Sequence, residues 1–124
     1  MDIVENKGIK TAIIDASFTA HLPDTLEMPY RPSIRGAQDN DQGKHLYRIG
    51  GVSCLAGDYL EVYSFDQALK VGDPIIFEDM IHYTMVKTTM FNGVKHPAIA
   101  IWTKEEEMKI IREFDYADFK NRLS

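Results

Sequence analysis

Short runs of strand-forming residues, separated by turn signals, constrain the fold of this chain more than any other feature of its sequence. Apolar, aromatic or β-branched runs cover residues 9–15, 46–49, 58–65, 75–77 and 98–102. Residues 82–91 are rich in Tyr, Thr, Val and Met, and Asn92 and Gly93 after them form the dipeptide most typical of a two-residue hairpin. We therefore predict a strand over 82–91 and a hairpin turn that joins it to residues 98–102. Many short strands favour a β-barrel or sandwich over an α/β sheet.

Three other segments depart from this pattern. Residues 17–34 contain three prolines, so little regular structure is expected there, and the polar residues 35–44 are predicted to form a loop. Apolar side chains recur at rough helical spacing over residues 105–123, which predicts a terminal helix or two short ones. With 124 residues the chain corresponds to one domain that can fold without disulfide bonds.

Composition and charge argue against several classes of partner. Hydrophobic residues make up 44% of the chain and charged residues 27%, values typical of a globular protein. The net charge is −5 and the basic residues are scattered, which disfavours nucleic acid and favours a small cationic ligand. There is one cysteine, no signal-peptide pattern at the start and no apolar stretch of about 20 residues. We expect a cytoplasmic protein that binds neither nucleic acid nor membrane.

Cys54, the single cysteine, lies between the glycine pair Gly50 and Gly51 and the later Gly57. Glycines on both sides allow tight bends and a close approach to a ligand, which suggests a thiol presented in a loop. The alternative is a buried core cysteine, since cysteine is among the most buried residue types. No basic residue or helix N-terminus is evident beside it, so the thiol suits a proton donor better than a strong nucleophile.

Two aspartates are candidates for binding a cation. Asp15 closes an otherwise apolar run, where a carboxylate needs a partner, although it could also cap a turn. Asp58 follows Cys54 by four residues and could face a ligand, or it could be a solvent-exposed residue at the start of a strand.

The remaining polar residues give weaker signals. The four histidines, His21, His45, His82 and His96, lack the paired spacing of metal ligands, so no metal site is predicted. Tyr83 would by default be a half-buried strand residue. The chain has no P-loop, no GxGxxG sequence and no plausible catalytic triad.

Four blocks of sequence, taken together, resemble a known family. They read DASFTAHLPDTLEMPY at residues 15–30, CLAGD at 54–58, YSFDQALKVGD at 63–73 and FEDMIHYTMVKTTMFNG at 77–93. These blocks closely resemble the C-terminal part of carboxynorspermidine (carboxyspermidine) decarboxylases. Those enzymes belong to the alanine-racemase-like, fold type III class that depends on pyridoxal 5′-phosphate. The resemblance covers nearly the whole chain. Val52 is a departure, because relatives usually have proline at that position.

The resemblance implies a role for each candidate residue. Cys54 matches the cysteine that returns a proton to Cα after carbon dioxide leaves, donated across a homodimer interface. Asp15 matches the aspartate that binds the distal ammonium of the substrate within its own subunit. Asp58, in the same loop as Cys54, is implied to help hold the amino groups of the substrate from that side. Tyr83 matches the tyrosine that contacts the cofactor phosphate. The substrate implied is carboxynorspermidine or carboxyspermidine, in polyamine biosynthesis.

The same resemblance implies the architecture. It indicates a mostly-β, Greek-key, barrel-like C-terminal domain over residues 1–124 with a short C-terminal helix. Family enzymes begin with an α/β barrel that carries the Schiff-base lysine, and we expect this part to be absent from the chain, which alone would be inactive. A second hypothesis is a stand-alone, non-catalytic β-domain that serves in binding or association.

Overall fold

The computed structural model describes residues 1–28 and 30–123. The strands are β1 (Asp2–Asn6), β2 (Ile9–Ile13), β3 (Ala37–Gln38), β4 (His45–Gly50), β5 (Tyr59–Phe65), β6 (Ile99–Trp102) and β7 (Met108–Arg112). The α-helices are α1 (Phe18–His21), α2 (Asp24–Glu27), α3 (Tyr83–Lys87) and α4 (Tyr116–Leu123), and a 3₁₀ turn covers Phe91–Gly93.

Five strands form the main sheet, in the order β1-β2-β4-β5-β3. Strands β1 and β2 form an antiparallel hairpin whose turn residues, Lys7 and Gly8, both have positive φ, as a type I′ turn requires. Strand β2 then pairs in parallel with β4, with Thr11 opposite Arg48, and β4 pairs antiparallel with β5. Because β2 and β4 are parallel, their C-terminal ends lie side by side, and the residues that follow both strands leave the sheet at the same end.

The core lies where one face of β4 and β5 meets helix α1. Tyr47 and Ile49 of β4 are buried at alternate positions, as expected for a strand with one buried face. Phe18 of α1 is fully buried in the same cluster and contacts Phe77 edge to face, with ring centroids 5.9 Å apart. The other buried apolar residues of this cluster are Ala12, Ile14, Leu22, Ile34, Leu60, Tyr63 and Phe65.

The proline-rich segment contains two one-turn helices, whereas little regular structure was expected there. Helix α1 begins after Ser17, whose Oγ accepts a hydrogen bond of 3.0 Å from the Ala20 N–H. This is a typical N-cap, which satisfies a backbone donor at the start of the helix. Pro23 occupies the N-cap position of α2, where its missing N–H costs nothing.

The predicted strand over 82–91 is wrong, and so is the hairpin at Asn92. The first half of this segment is helix α3, in which Thr84 is the buried residue. Asn92 and Gly93 do have positive φ values, of 59° and 72°, but they lie in a 3₁₀ turn, and the element that precedes this turn is helix α3 instead of a strand. Strand composition is a weak preference that depends on packing, and the contacts of Thr84 described below override it.

The C-terminal segment is also only partly as predicted. Strand β6 confirms the prediction for residues 98–102, but it pairs with β7, which lies inside the segment expected to be helical. The terminal helix is confirmed as α4. The predicted strands 9–15, 46–49 and 58–65 are confirmed as β2, β4 and β5, while residues 75–77 form only an isolated bridge between Ile34 and Phe77.

The mostly-β class with a short C-terminal helix is therefore confirmed. The main sheet is open, however, with β1 and β3 at its two edges in the described part of the chain. Strand β1 was not predicted. In the same residues no helix is long and apolar enough to cross a membrane.

Candidate functional site

Asp15 and Cys54 lie at the same end of the main sheet, just beyond the C-terminal ends of the parallel strands β2 and β4. The parallel pairing continues past the strand ends, because the Ile14 N–H donates to the Gly50 carbonyl at 2.9 Å. The Val52 N–H then donates to the Ala16 carbonyl at 3.0 Å. Val52 therefore anchors the loop through a hydrogen bond that proline at this position could not make. Asp15 is exposed and lines an open cleft of about 430 Å³.

Asp58 lies between these two segments and is almost completely buried, with 5% of its surface exposed. Its Oδ1 accepts hydrogen bonds from the Thr19 N–H at 2.9 Å, the Ser17 hydroxyl at 3.2 Å and the Thr19 hydroxyl at 3.3 Å. Its Oδ2 accepts from the Ser53 N–H at 2.9 Å. The alternative of a solvent-exposed carboxylate at the start of a strand is therefore excluded, and both oxygens are bonded within the chain.

The surroundings of Asp58 stabilise its charged form. Burial alone raises the pKa of this carboxyl, but the hydrogen bonds from Thr19, Ser53 and Ser17 outweigh burial and hold its pKa below the usual value of 3.8. A carboxylate that accepts several N–H and O–H bonds stays ionised without a cationic partner.

Cys54 is exposed, which excludes the buried-core alternative. Its N–H donates to Oδ1 of Asn92 at 3.3 Å, and its thiol lies 3.4 Å from the same oxygen. An amide oxygen accepts a proton in a hydrogen bond but does not remove it, so this contact suits a protonated thiol. Asn92 was assigned only to a turn from the sequence, although its position before a glycine was a signal for the positive φ that it adopts.

Tyr83 lies at the start of α3 with 67% of its surface exposed, so it is not the half-buried strand residue of the default interpretation. The next residue, Thr84, donates from its hydroxyl to the buried Asp24, at 3.0 Å from each carboxylate oxygen. Asp24 also accepts from the Tyr30 hydroxyl at 3.0 Å. Sequence reasoning missed Asp24, whose partner Thr84 is sixty residues away. In the described residues, Tyr83 makes no hydrogen bond to Asp15, Cys54 or Asp58.

His21 is a second buried polar residue that the sequence did not single out. Its Nδ1 accepts from the Ser17 N–H at 3.3 Å and its Nε2 donates to the Lys95 carbonyl at 3.0 Å, the bonds of a neutral imidazole. Burial lowers the pKa of His21 below 6.5, although the bond to Lys95 opposes the shift. His21 therefore links α1 to the segment before β6.

Comparison with known proteins identifies the family of this fold. A family model described as the C-terminal sheet domain of pyridoxal-dependent decarboxylases matches residues 1–81. The chain belongs to this family.

Relatives extend the similarity over almost the whole chain. A carboxyaminopropylagmatine decarboxylase from Synechocystis is 57% identical over 122 residues, which is 98% of this chain and 32% of that protein. A carboxynorspermidine/carboxyspermidine decarboxylase from Campylobacter jejuni is 41% identical over 133 residues, 98% of this chain and 35% of that protein. The crystal structure of carboxynorspermidine decarboxylase from C. jejuni, complexed with norspermidine, matches with a TM-score of 0.91 at 41% identity and covers 98% of this chain and 36% of that one. The chain spans about a third of the length of these relatives.

The residues described fit an outer contact to the cofactor of this family. Tyr83 offers an exposed hydroxyl that can donate to a phosphate oxygen. A Schiff-base lysine needs a sheltered position, and the lysines of the described ranges are exposed, except for Lys87, which is partly buried and ion-paired with Glu27.

Proposed function

We propose that this chain is the C-terminal domain of a pyridoxal-phosphate-dependent enzyme that decarboxylates a carboxylated polyamine. The observation that carries the proposal is the exposed thiol of Cys54, which is hydrogen-bonded to the side-chain oxygen of Asn92. The Cys54 loop and Asp15 follow the same ends of the parallel strands β4 and β2. A thiol that can donate a proton and an exposed carboxylate that can bind a cation are two groups that such a reaction needs. The net charge of −5 favours a cationic substrate.

Three substrates are candidates, and the relatives are named for different ones. The resemblance in the sequence indicated carboxynorspermidine or carboxyspermidine, which the C. jejuni relative is named for. The relative from Synechocystis, at 57% identity, is named for carboxyaminopropylagmatine, whose agmatine part ends in a guanidinium group. A carboxylate binds a guanidinium through two parallel hydrogen bonds and an ammonium as a point charge. Asp15 is the exposed carboxylate proposed to bind this distal cation.

In the proposed reaction each residue has one task. The chemistry that pyridoxal phosphate would supply when bound is delocalisation of the electron pair left on Cα after carbon dioxide leaves. Cys54 transfers its Sγ proton to Cα, where a C–H bond forms, and the thiolate regains a proton from solvent. Tyr83 donates to the cofactor phosphate. A substrate contact through Asp58 stays a prediction.

The rest of the enzyme is also part of the proposal. We propose that an α/β barrel elsewhere in the protein carries the Schiff-base lysine, and that Cys54 acts in the site of a partner subunit in a homodimer. The isolated chain should then bind pyridoxal phosphate weakly or not at all. A stoichiometric absorbance band from one lysine of this chain would contradict that division of roles. A cytoplasmic location stays a prediction from the sequence.

The test uses the full-length protein loaded with cofactor and supplied with carboxynorspermidine, carboxyspermidine or carboxyaminopropylagmatine. We expect release of carbon dioxide and the corresponding amine from at least one of them. Cys54→Ala should slow amine formation by about 10²- to 10⁴-fold, the usual contribution of general acid catalysis. Leu55→Ala, at an exposed neighbouring position, is the control and should be close to wild type. No decarboxylation of any of the three would favour the alternative of a non-catalytic binding or association domain.

A further inference from the structure

The carboxylate of Asp58 joins two segments that are far apart in the sequence. Ser17 and Thr19, at the start of α1, precede Asp58 by about forty residues, whereas Ser53 precedes it by five. The first segment directly follows Asp15, and Ser53 directly precedes Cys54. The buried side chain of Asp58 is therefore hydrogen-bonded both to the segment that follows Asp15 and to the residue before Cys54.

The main chain of Asp58 closes the same loop. Its carbonyl accepts from the Gly51 N–H at 2.7 Å, and its N–H donates to the Leu55 carbonyl at 3.0 Å. The loop of residues 51–58 is thus held at both ends by one residue, through its backbone and its side chain.

Gly51 is needed because the Asp58 carboxylate lies where a side chain would begin. A Cβ at Gly51 would lie 2.4 Å from Oδ2, 2.6 Å from Cγ and 2.9 Å from Oδ1 of Asp58. The φ of Gly51 lies outside the positive range, so the requirement for glycine is one of space. Gly57, in the same loop, also lacks a positive φ, and a Cβ there would meet nothing within 4 Å.

We propose that Asp58 is a positioning residue, which fixes the Cys54 loop relative to the segment that carries Asp15, and that Gly51 leaves the space for its carboxylate. This inference rests on the proposed function and deepens it. The predicted alternative is that Asp58 binds the amino groups of the substrate directly. Loss of a substrate ligand raises KM, whereas loss of a residue that positions the Cys54 thiol lowers kcat. A variant that moves the carboxylate without removing its charge should therefore lower kcat if Asp58 is a positioning residue.

Gly51→Ala is such a variant, because it displaces the carboxylate and leaves the charge in place. Gly57→Ala is the matched control, and Asp58→Asn removes the charge at nearly constant size. All three are made in the full-length protein, and kcat, KM and the amount of amine formed per carbon dioxide released are measured. We expect Gly51→Ala and Asp58→Asn to lower kcat by about 10- to 100-fold, since a displacement of about 1 Å can cost this much. We expect both to form less amine per carbon dioxide and Gly57→Ala to match wild type.

A different pattern would overturn the proposal. If Asp58→Asn and Gly51→Ala both raised KM and left kcat unchanged, Asp58 would be a substrate ligand. If Gly51→Ala behaved like Gly57→Ala, the carboxylate would have no positioning role. Should Asp58→Asn fail to fold, as judged by circular dichroism, the pair of glycine variants decides the question alone.

A readout that needs no activity distinguishes failure of this inference from failure of the proposed function. The rate of Cys54 alkylation by iodoacetamide, measured on the same proteins, reports the position of the thiol. Gly51→Ala should change this rate by at least threefold and Gly57→Ala should not. An unchanged rate in Gly51→Ala overturns the positioning role, whether or not the wild-type protein decarboxylates any of the three amines.

Discussion

Replacement of Ser17 by alanine should destabilise the fold in a way that depends on pH. The Ser17 side chain is completely buried and has two roles, as acceptor from the Ala20 N–H and as donor to Oδ1 of Asp58. Ser17→Ala removes both interactions and leaves the Asp58 carboxylate with three donors instead of four.

The two lost interactions differ in size and in pH dependence. Loss of an N-cap side chain costs about 1 kcal/mol, and loss of a hydrogen bond to a charged group costs about 1.5–3 kcal/mol. We therefore expect the free energy of unfolding to fall by about 3 kcal/mol at pH 7. The cap term does not involve a titrating group and should be the same at every pH.

The term from Asp58 follows the direction of its pKa shift. Because the folded-state pKa of Asp58 is lowered below 3.8, its stabilisation is fully present above pH 3.8 and is lost as the pH falls through the folded-state value. Once Asp58 is protonated in both proteins, the difference in unfolding free energy between Ser17→Ala and wild type should narrow to roughly 1 kcal/mol, which is the contribution of the N-cap alone.

Urea unfolding followed by circular dichroism, at pH values from 7 down to 3, measures this difference. Thr19→Val is the comparison variant, because it removes only the 3.3 Å hydroxyl bond to Asp58 and leaves the 2.9 Å backbone bond. It should cost less than Ser17→Ala at neutral pH. A Ser17→Ala effect below about 0.5 kcal/mol at pH 7, or one that does not narrow once the pH falls through the folded-state pKa of Asp58, would refute the reasoning about Asp58.

Three further predictions concern the other buried or strained groups. The buried imidazole of His21 resists protonation, so wild type should lose stability as the pH falls below 6.5, and His21→Gln should remove this loss. Urea unfolding at pH 7, 6 and 5 tests it; the same change of unfolding free energy with pH in both proteins would contradict it. Asn92→Gly keeps the positive φ but removes the acceptor at Cys54, so alkylation by iodoacetamide should become about two- to tenfold faster; an unchanged rate would show that the contact has no effect. Thr84→Val leaves the buried Asp24 without this donor and should cost about 1–3 kcal/mol in urea unfolding, whereas Thr84→Ser should recover most of the loss; equal stability of the two variants would argue against the bond.

The parts of the fold that could be predicted from sequence are those with local signals. Strands β4 and β5 are short runs rich in apolar, aromatic and β-branched residues between turn signals, so their positions follow from the pattern alone. Helix α3 could not be found in this way, because its composition is typical of a strand. Its position depends on the bond from Thr84 to Asp24, which lies sixty residues earlier in the chain.

In the candidate site, too, some features follow from local sequence and others depend on residues far apart in the chain. The exposure of Cys54 was predicted from the glycines around it, whereas Asp15 is exposed although its place at the end of an apolar run suggested a carboxylate that needs a partner. The burial of Asp58 and the contact of Asn92 with Cys54 depend on residues 38 to 41 positions apart, which no local pattern encodes. The family resemblance predicted which residues belong to the site, and the structure shows the contacts around them.

The parallel pairing of β2 with β4 has a consequence for the order of folding. The β1–β2 hairpin needs only a two-residue turn, and such hairpins form within about 1–10 μs. Strand β4 cannot join β2 until the whole connection of residues 14–44 has been closed, which loses chain entropy before the new contacts repay it. The rate-limiting step should therefore be this closure. The same step brings the Asp15 segment to the Cys54 loop, so the site is assembled late, after the hairpin is already in place.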